Sequence, residues 1–137
     1  MITEDYVSFE TAKLLKEKGF NEICEMFYCK PHEGYMRNRK RNEWWNSDLR
    51  EDMTCTCPTL QMAMKWLREE HNKTIIIGIR VTDPITGIID CYYNGIYYVP
   101  KNNVSALCFT SPTPENGYST YEKACEEAIR YCLENLI

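Results

Sequence analysis

The sequence predicts an α+β fold: a three- to four-stranded antiparallel sheet packed by two helices on one face, with an N-terminal helix and a small hairpin in front of it. Three observations predict this. Residues 58–72 carry an apolar stripe of helical period and run straight into the alternating apolar stretch Thr74–Val81. Turn-forming residues then divide the chain into short β-prone runs. A second amphipathic helix closes the sequence.

In chain order, Tyr6 to Gly19 reads as the first helix. Ser8 is placed to accept a first-turn amide, Val7 to pack over that turn, and Gly19 to end the helix in the left-handed conformation. Phe9, Ala12 and Leu15, with Leu14 beside them, give it a narrow apolar side. Met26–Cys29 and Tyr35-Met36 read as hairpin strands around the turn Pro31-His32-Glu33-Gly34. Thr54–Cys57 is a short extended lead into the next helix.

That helix has Pro58 just before or at its first turn and Thr59 as N-cap. Leu60, Ala63, Met64 and Leu67 share one face, and Lys65, Arg68, Glu69 and Glu70 fall mostly on the other. Trp66 and Met62 read as a boundary packing pair, and Asn72 as a left-handed C-cap. In the strand that follows, Ile75, Ile77, Ile79 and Val81 form the expected core face. Thr74, Ile76, Gly78 and Arg80 point the other way, half apolar and partly covered, with Gly78 marking a bulge or a close neighbour.

Thr82-Asp83-Pro84-Ile85-Thr86-Gly87 is a turn, and Ile88–Tyr93 pairs back. Asn94-Gly95 is the strongest two-residue hairpin signal, which makes Ile96–Val99 a separate strand ended by Pro100. Val104–Thr110 reads as an edge strand and 111–117 as loop. Ser119 and Glu122 form a capping box for the last helix, whose inner side carries Tyr121, Ala124, Cys125, Ala128, Cys132 and Leu136.

A length of 137 residues predicts one domain, 1–137. The net charge of -4 speaks against a general nucleic-acid binder. Eight cysteines are many for this length. Met1-Ile2-Thr3-Glu4-Asp5-Tyr6 carries no apolar leader, so the expectation is a cytoplasmic protein with reduced thiols that serve as small apolar side chains. No apolar run approaches a membrane span, and no membrane contact is expected.

Three constellations carry candidate chemistry. Tyr35, Arg37, Arg39, Lys40, Arg41, Trp44 and Trp45 interleave cations with aromatic rings, as single-strand nucleic-acid binders do; the plainer reading is a solvated loop whose tryptophans tuck into the hairpin. Cys24, Cys29, His32, Cys55 and Cys57 supply soft ligands for zinc, but Cys-x4-Cys and Cys-x-Cys are poor spacings and suit packing as well, so no metal and no cofactor is expected. For catalysis only His32 and His71 are available, with a Cys29 or Cys57 thiolate near His32 as the one conceivable nucleophile. No nucleophile elbow, phosphate-cradling loop or His-Glu-x-x-His pattern is present, and the chain reads as no enzyme.

Tyr92, Tyr93, Tyr97 and Tyr98 complete the inventory. Adjacent tyrosines alternate faces, so one of each pair faces outward. Beside Trp44 and Trp45 such a row makes an amphipathic contact patch. Cross-strand aromatic pairing that only stabilises the sheet explains it equally well.

Ser8 to Phe20, Pro58-Thr59-Leu60 leading through Lys65-Trp66-Leu67-Arg68-Glu69 into a strand, and the closing Tyr121-Glu122-Lys123-Ala124 span most of the chain. In that combination the sequence resembles a family of small uncharacterised proteins encoded by phages and mobile elements of gut Bacteroides-like bacteria. The resemblance implies a cytoplasmic, accessory role. The family has no established activity, so it assigns no functional residues. The sequence thus favours a non-enzymatic accessory protein that binds another protein, with weak nucleic-acid binding through residues 35–45 as the alternative. It leaves open a homodimer built on an edge strand.

Overall fold

The structure is a computed structural model that describes residues 1–29, 43–50, 53–100 and 106–137, and the backbone of 35–37. Among the described residues there are three α-helices, α1 (Phe9–Glu17), α2 (Leu60–His71) and α3 (Tyr121–Tyr131), and six strands: β1 (Met26–Cys29), β2 (Tyr35–Arg37) and β3 (Met53–Cys57) before α2, and β4 (Lys73–Asp83), β5 (Ile88–Tyr98) and β6 (Cys108–Thr110) after it. The class is α+β, and the strands form two antiparallel sheets, ordered β2-β1-β3 and β4-β5-β6. The expected hairpin before the central helix is present as β1 and β2, and β3 adds to it as a third strand. Among the described residues no helix is long and apolar enough to cross a membrane. The chain divides into two compact units, Met1–Ala63 with Ile137, and Met64–Leu136.

In the first unit, local caps set the helix ends. Ser8 accepts a hydrogen bond from Thr11 N, and Gly19 follows α1 in the left-handed region. Thr59 Oγ1 accepts from Met62 N at 3.1 Å, as the N-cap reading requires. Tyr6 bridges Thr59 in antiparallel fashion, and the Tyr28 hydroxyl donates to Val7 O at 2.6 Å. Phe27, Trp44 and Met53 form a buried cluster, with the Phe27 and Trp44 rings edge to face at 5.2 Å. Asn46 closes this unit locally: its amide donates to Phe20 O, and its side-chain oxygen accepts from Thr56 N.

The second unit is built on the long β4–β5 ladder, and α3 packs against both strands. In an antiparallel ladder directly opposed residues share a face. Ile75 with Ile96, Ile77 with Asn94, and Ile79 with Tyr92 therefore lie on one face; Thr74 with Tyr97, Ile76 with Gly95, and Gly78 with Tyr93 lie on the other. Asn94 Nδ2 donates to Ala124 O at 3.0 Å, which fixes α3 on the first face. Ile96, Ala124, Cys125, Ala128, Ile129, Cys132 and Leu133 are its buried residues. Both Cys125 and Cys132 point inward, as their spacing predicts.

Four expectations change. The Asn94-Gly95 pair does not turn, because β5 runs unbroken from Ile88 to Tyr98. Asn94 is fully buried and tied to Ala124 and Thr113, and these contacts outweigh its local turn preference. The face of Ile75, Ile77, Ile79 and Val81 is the helix-covered one, but Ile79 is 51 % exposed and the other three are half-buried. Their core partners come from β5 and α3 instead. The N-cap of α3 is Thr120, one residue later than Ser119, and it accepts from Lys123 N at 3.1 Å. The last edge strand is Cys108–Thr110, shorter than Val104–Thr110; residues 104 and 105 lie outside the described residues.

Candidate functional site

The sheet face opposite α3 is apolar and carries a group of exposed side chains. Ile76 is 46 % exposed, Tyr93 45 %, Tyr97 39 % and Phe109 55 %. The ladder explains why they meet. Gly95 lies opposite Ile76, with Tyr93 and Tyr97 two residues to either side along β5 on the same face. Phe109 pairs with Tyr97 across β5 and β6, their ring centroids 4.8 Å apart. Two glycines leave room for the rings. A side chain at Gly95 would collide with the edge of the Phe109 ring, and one at Gly78 with the tip of the Tyr93 ring. Gly78 thus marks a close neighbour; the bulges of β4 come later, between Arg80 and Val81 and between Val81 and Asp83. Leu107, two residues before Phe109, is also exposed.

The tyrosine pairs divide as the strand period requires. Tyr93 and Tyr97 are exposed, whereas Tyr92 and Tyr98 are half-buried on the α3 side. Tyr92 meets Tyr121 of α3 edge to face at 6.3 Å, and the Lys73 ammonium lies 5.5 Å from the Tyr98 ring. Each pair supplies one inward anchor and one outward ring. On the outward face the charge is compensated: Arg80 is ion-paired with Asp90 at 3.1 Å.

The back of β5 is sealed by polar contacts. Ser111 Oγ donates to Asn94 O at 2.6 Å, and Thr113 Oγ1 accepts from Asn94 N at 2.8 Å. Tyr92 and Tyr118 exchange backbone hydrogen bonds of 2.8 and 2.9 Å. The segment from Cys108 to Tyr118 therefore follows β5 down to Tyr92 and holds its outward rings in place.

The basic-aromatic segment behaves differently. Tyr35 and Arg37 lie in β2, in backbone register with Tyr28 and Met26, while Arg39, Lys40 and Arg41 fall outside the described residues. Trp44 is not an open stacking surface. It is fully buried, bridged to Cys24 through two backbone hydrogen bonds, with its ring against Phe27. Trp45 is half-buried. The sequence places these tryptophans beside four cations, but burial of the large apolar ring of Trp44 decides its position.

Six of the eight thiols are buried, and Cys29 and Cys108 are half-buried. Cys24, Cys55 and Cys57 are buried and Cys29 is half-buried; His32 lies outside the described residues. Cys55 opposes Tyr28 and Cys57 opposes Met26 in the β1–β3 ladder. Burial pushes the Cys24 and Cys55 thiols up to about 11, which keeps them protonated at neutral pH. Among the described residues no three His, Cys, Asp or Glu side chains converge as a metal site would need, and no disulfide joins any of the eight cysteines. His71 packs edge to face on buried Trp66 at 4.5 Å, a structural contact at the end of α2.

A cleft of about 720 Å³ opens in the first unit, lined by Thr3, Glu4, Tyr6, Ile23, Cys24, Glu25, Cys57, Pro58, Thr59 and Met62. The Cys24 thiol there lies 3.9 Å from the Met62 sulfur, and among the described residues no histidine lines the wall. Burial keeps the Cys24 thiol of this cleft protonated, and the aromatic sheet face is the candidate site.

Sequence reasoning missed Phe109 and Ile76. The available signal was the glycine pair, since a glycine inside a β-prone run often lies beneath a neighbouring ring. No protein-family model, no curated protein and no solved structure matches this chain.

Proposed function

We propose that the chain is a non-enzymatic accessory protein that binds another protein through the outward face of the β4-β5-β6 sheet. The observation that carries this reading is the cluster of Ile76, Tyr93, Tyr97 and Phe109 around Gly95, apolar, exposed and seated on a paired ladder. Aromatic rings with a polar edge gather at the cores of protein interfaces, because they bury much area at little cost in side-chain entropy. Exposed apolar clusters of this kind mark contact sites. An accessory role in a phage or mobile element, in the host cytoplasm, belongs to the same proposal and rests on the sequence resemblance alone.

A nucleic-acid ligand would need unpaired cations beside the stacking rings. Arg80, the cation of β4 on this face, is already paired with Asp90. The experiment is a pull-down from the native host with wild-type chain, a Tyr97→Ser/Phe109→Ser variant and a variant lacking the charges of Arg37, Arg39, Lys40 and Arg41. The expected result is a protein retained by wild type and by the charge-removed variant, and lost with the face variant. Nuclease-sensitive material lost only with the charge-removed variant would overturn the reading.

A further inference from the structure

The two edges of the β4-β5-β6 sheet are treated differently. β6 is only three residues long, and the chain beyond it covers β5 as far as Tyr92. β4 is eleven residues long, and among the described residues it pairs on one side only, with β5. Its outer row of amides and carbonyls is a template for another strand. Proteins that keep such an edge single place prolines, several charges or bulges along it. From Thr74 to Ile79 this edge has none of these: the residues are Thr, Ile, Ile, Ile, Gly and Ile, and the register with β5 is regular.

The limits of that regular stretch select a partner. Its first neighbour, Lys73, is buried and donates to His71 O, and the bulges begin after Arg80. The free ladder therefore runs from Thr74 to Arg80, and its middle residue is Ile77. We infer that β4 pairs antiparallel with β4 of a second copy of this chain, about a two-fold axis at Ile77. This inference goes beyond the proposed function, which concerns the face of the sheet and not its edge.

In that register Ile77 meets the Ile77 of the second copy and Ile75 meets its Ile79 on the α3 side. Ile76 meets the second copy's Gly78, beneath that copy's Tyr93 ring. Thr74 meets Arg80, so no charge opposes a like charge, and apolar β-branched pairs fill the rest. The exposure of Ile76 and Ile79 is then explained, because each acquires a cross-strand neighbour. A perpendicular two-fold axis keeps the faces aligned, and the aromatic clusters of the two copies continue one another across a six-stranded sheet. The ladder engages fewer residues than the ~20–30 per side of a standard interface, so the association depends on concentration.

The test uses the full chain. Sedimentation velocity up to roughly 1 mM, where micromolar to millimolar constants are read, is expected to show a species of twice 16.2 kDa. Ile79→Lys places two ammonium groups diagonally across the axis at an exposed position, and is expected to leave only the 16.2 kDa species with an unchanged circular dichroism spectrum. Hydrogen exchange on the wild-type chain reads the edge without any variant. The alternate amides of residues 74–80 turned away from β5 are expected to gain protection as the dimer forms. A 16.2 kDa species at every concentration, a dimer undiminished by Ile79→Lys, or a dimer whose outward β4 amides exchange as freely as in the monomer would each overturn the inference.

Discussion

The phenol ring of Tyr93 lies over Gly78, its cross-strand partner. Any side chain at position 78 occupies the space of the ring tip, so the glycine leaves room for the ring where it lies. Gly78→Val is expected to swing Tyr93 aside. Valine suits a strand better than glycine, which offsets the cost of moving the ring, and the net change in stability is within about 1 kcal/mol. Partner retention in a pull-down is expected to fall while the urea midpoint stays near wild type. A variant that binds as wild type does would separate the ring's position from recognition.

Asn94 is the second determinant of the site. It is fully buried, donates to Ala124 O at 3.0 Å, and accepts from Thr113 Oγ1 at 2.9 Å. Asn94→Ala leaves a buried carbonyl and a hydroxyl without this partner, and is expected to cost about 2–3 kcal/mol in urea unfolding. Thr113→Val is expected to cost about 1–2 kcal/mol. A double-mutant cycle is expected to show coupling of roughly 1 kcal/mol, since the two residues share one network.

Capping of α3 separates two neighbouring residues. Thr120→Ala removes the side-chain acceptor for Lys123 N and is expected to cost about 1 kcal/mol. Ser119→Ala is expected to change stability by less than ~0.5 kcal/mol, as exposed positions away from caps do. Chemical denaturation of both variants checks the pair.

Alkali is expected to destabilise the fold. Burial pushes Cys24 and Cys55 up to about 11 and Cys132 up to about 12, from an ordinary 9.0. The folded chain holds these protons more tightly than the unfolded chain does. The stability they contribute is therefore whole below pH 9 and is lost as pH rises through 11 to 12. Gaps of this size correspond to roughly 2–4 kcal/mol per thiol once the upper values are passed. Melting temperatures measured from pH 7 to 11 are expected to be level up to about 9 and then fall, with a shallower fall for Cys132→Ala. A level profile throughout would contradict the burial of these thiols.

Features set within a few residues were mostly legible in the sequence, the cap of α3 falling one residue beyond the expected Ser119. Ser8 and Thr59 cap as read, and Asn72 takes a φ of 54° at the end of α2. Their geometry depends on the adjacent turn of backbone and little else. Features set by distant residues were not legible. Asn94-Gly95 has the chemistry of a turn, yet Ala124 holds one residue and the Phe109 ring covers the other. Trp44 follows a run of cations, yet it packs on Phe27 and Met53. The site falls between these cases. The alternation of Tyr92-Tyr93 and Tyr97-Tyr98 was readable from the strand period, whereas Phe109 joins them only through the β5–β6 register.

The central claim is that the outward face of β4-β5-β6 is where this protein meets its partner. Hydroxyl-radical footprinting of the chain, alone and in the complex recovered from host lysate, tests it most directly. The predicted result is that Tyr93, Tyr97 and Phe109 lose reactivity in the complex, while buried Tyr28 stays unreactive in both states. Full reactivity at those three rings, with protection appearing instead over residues 35–45, would contradict the account.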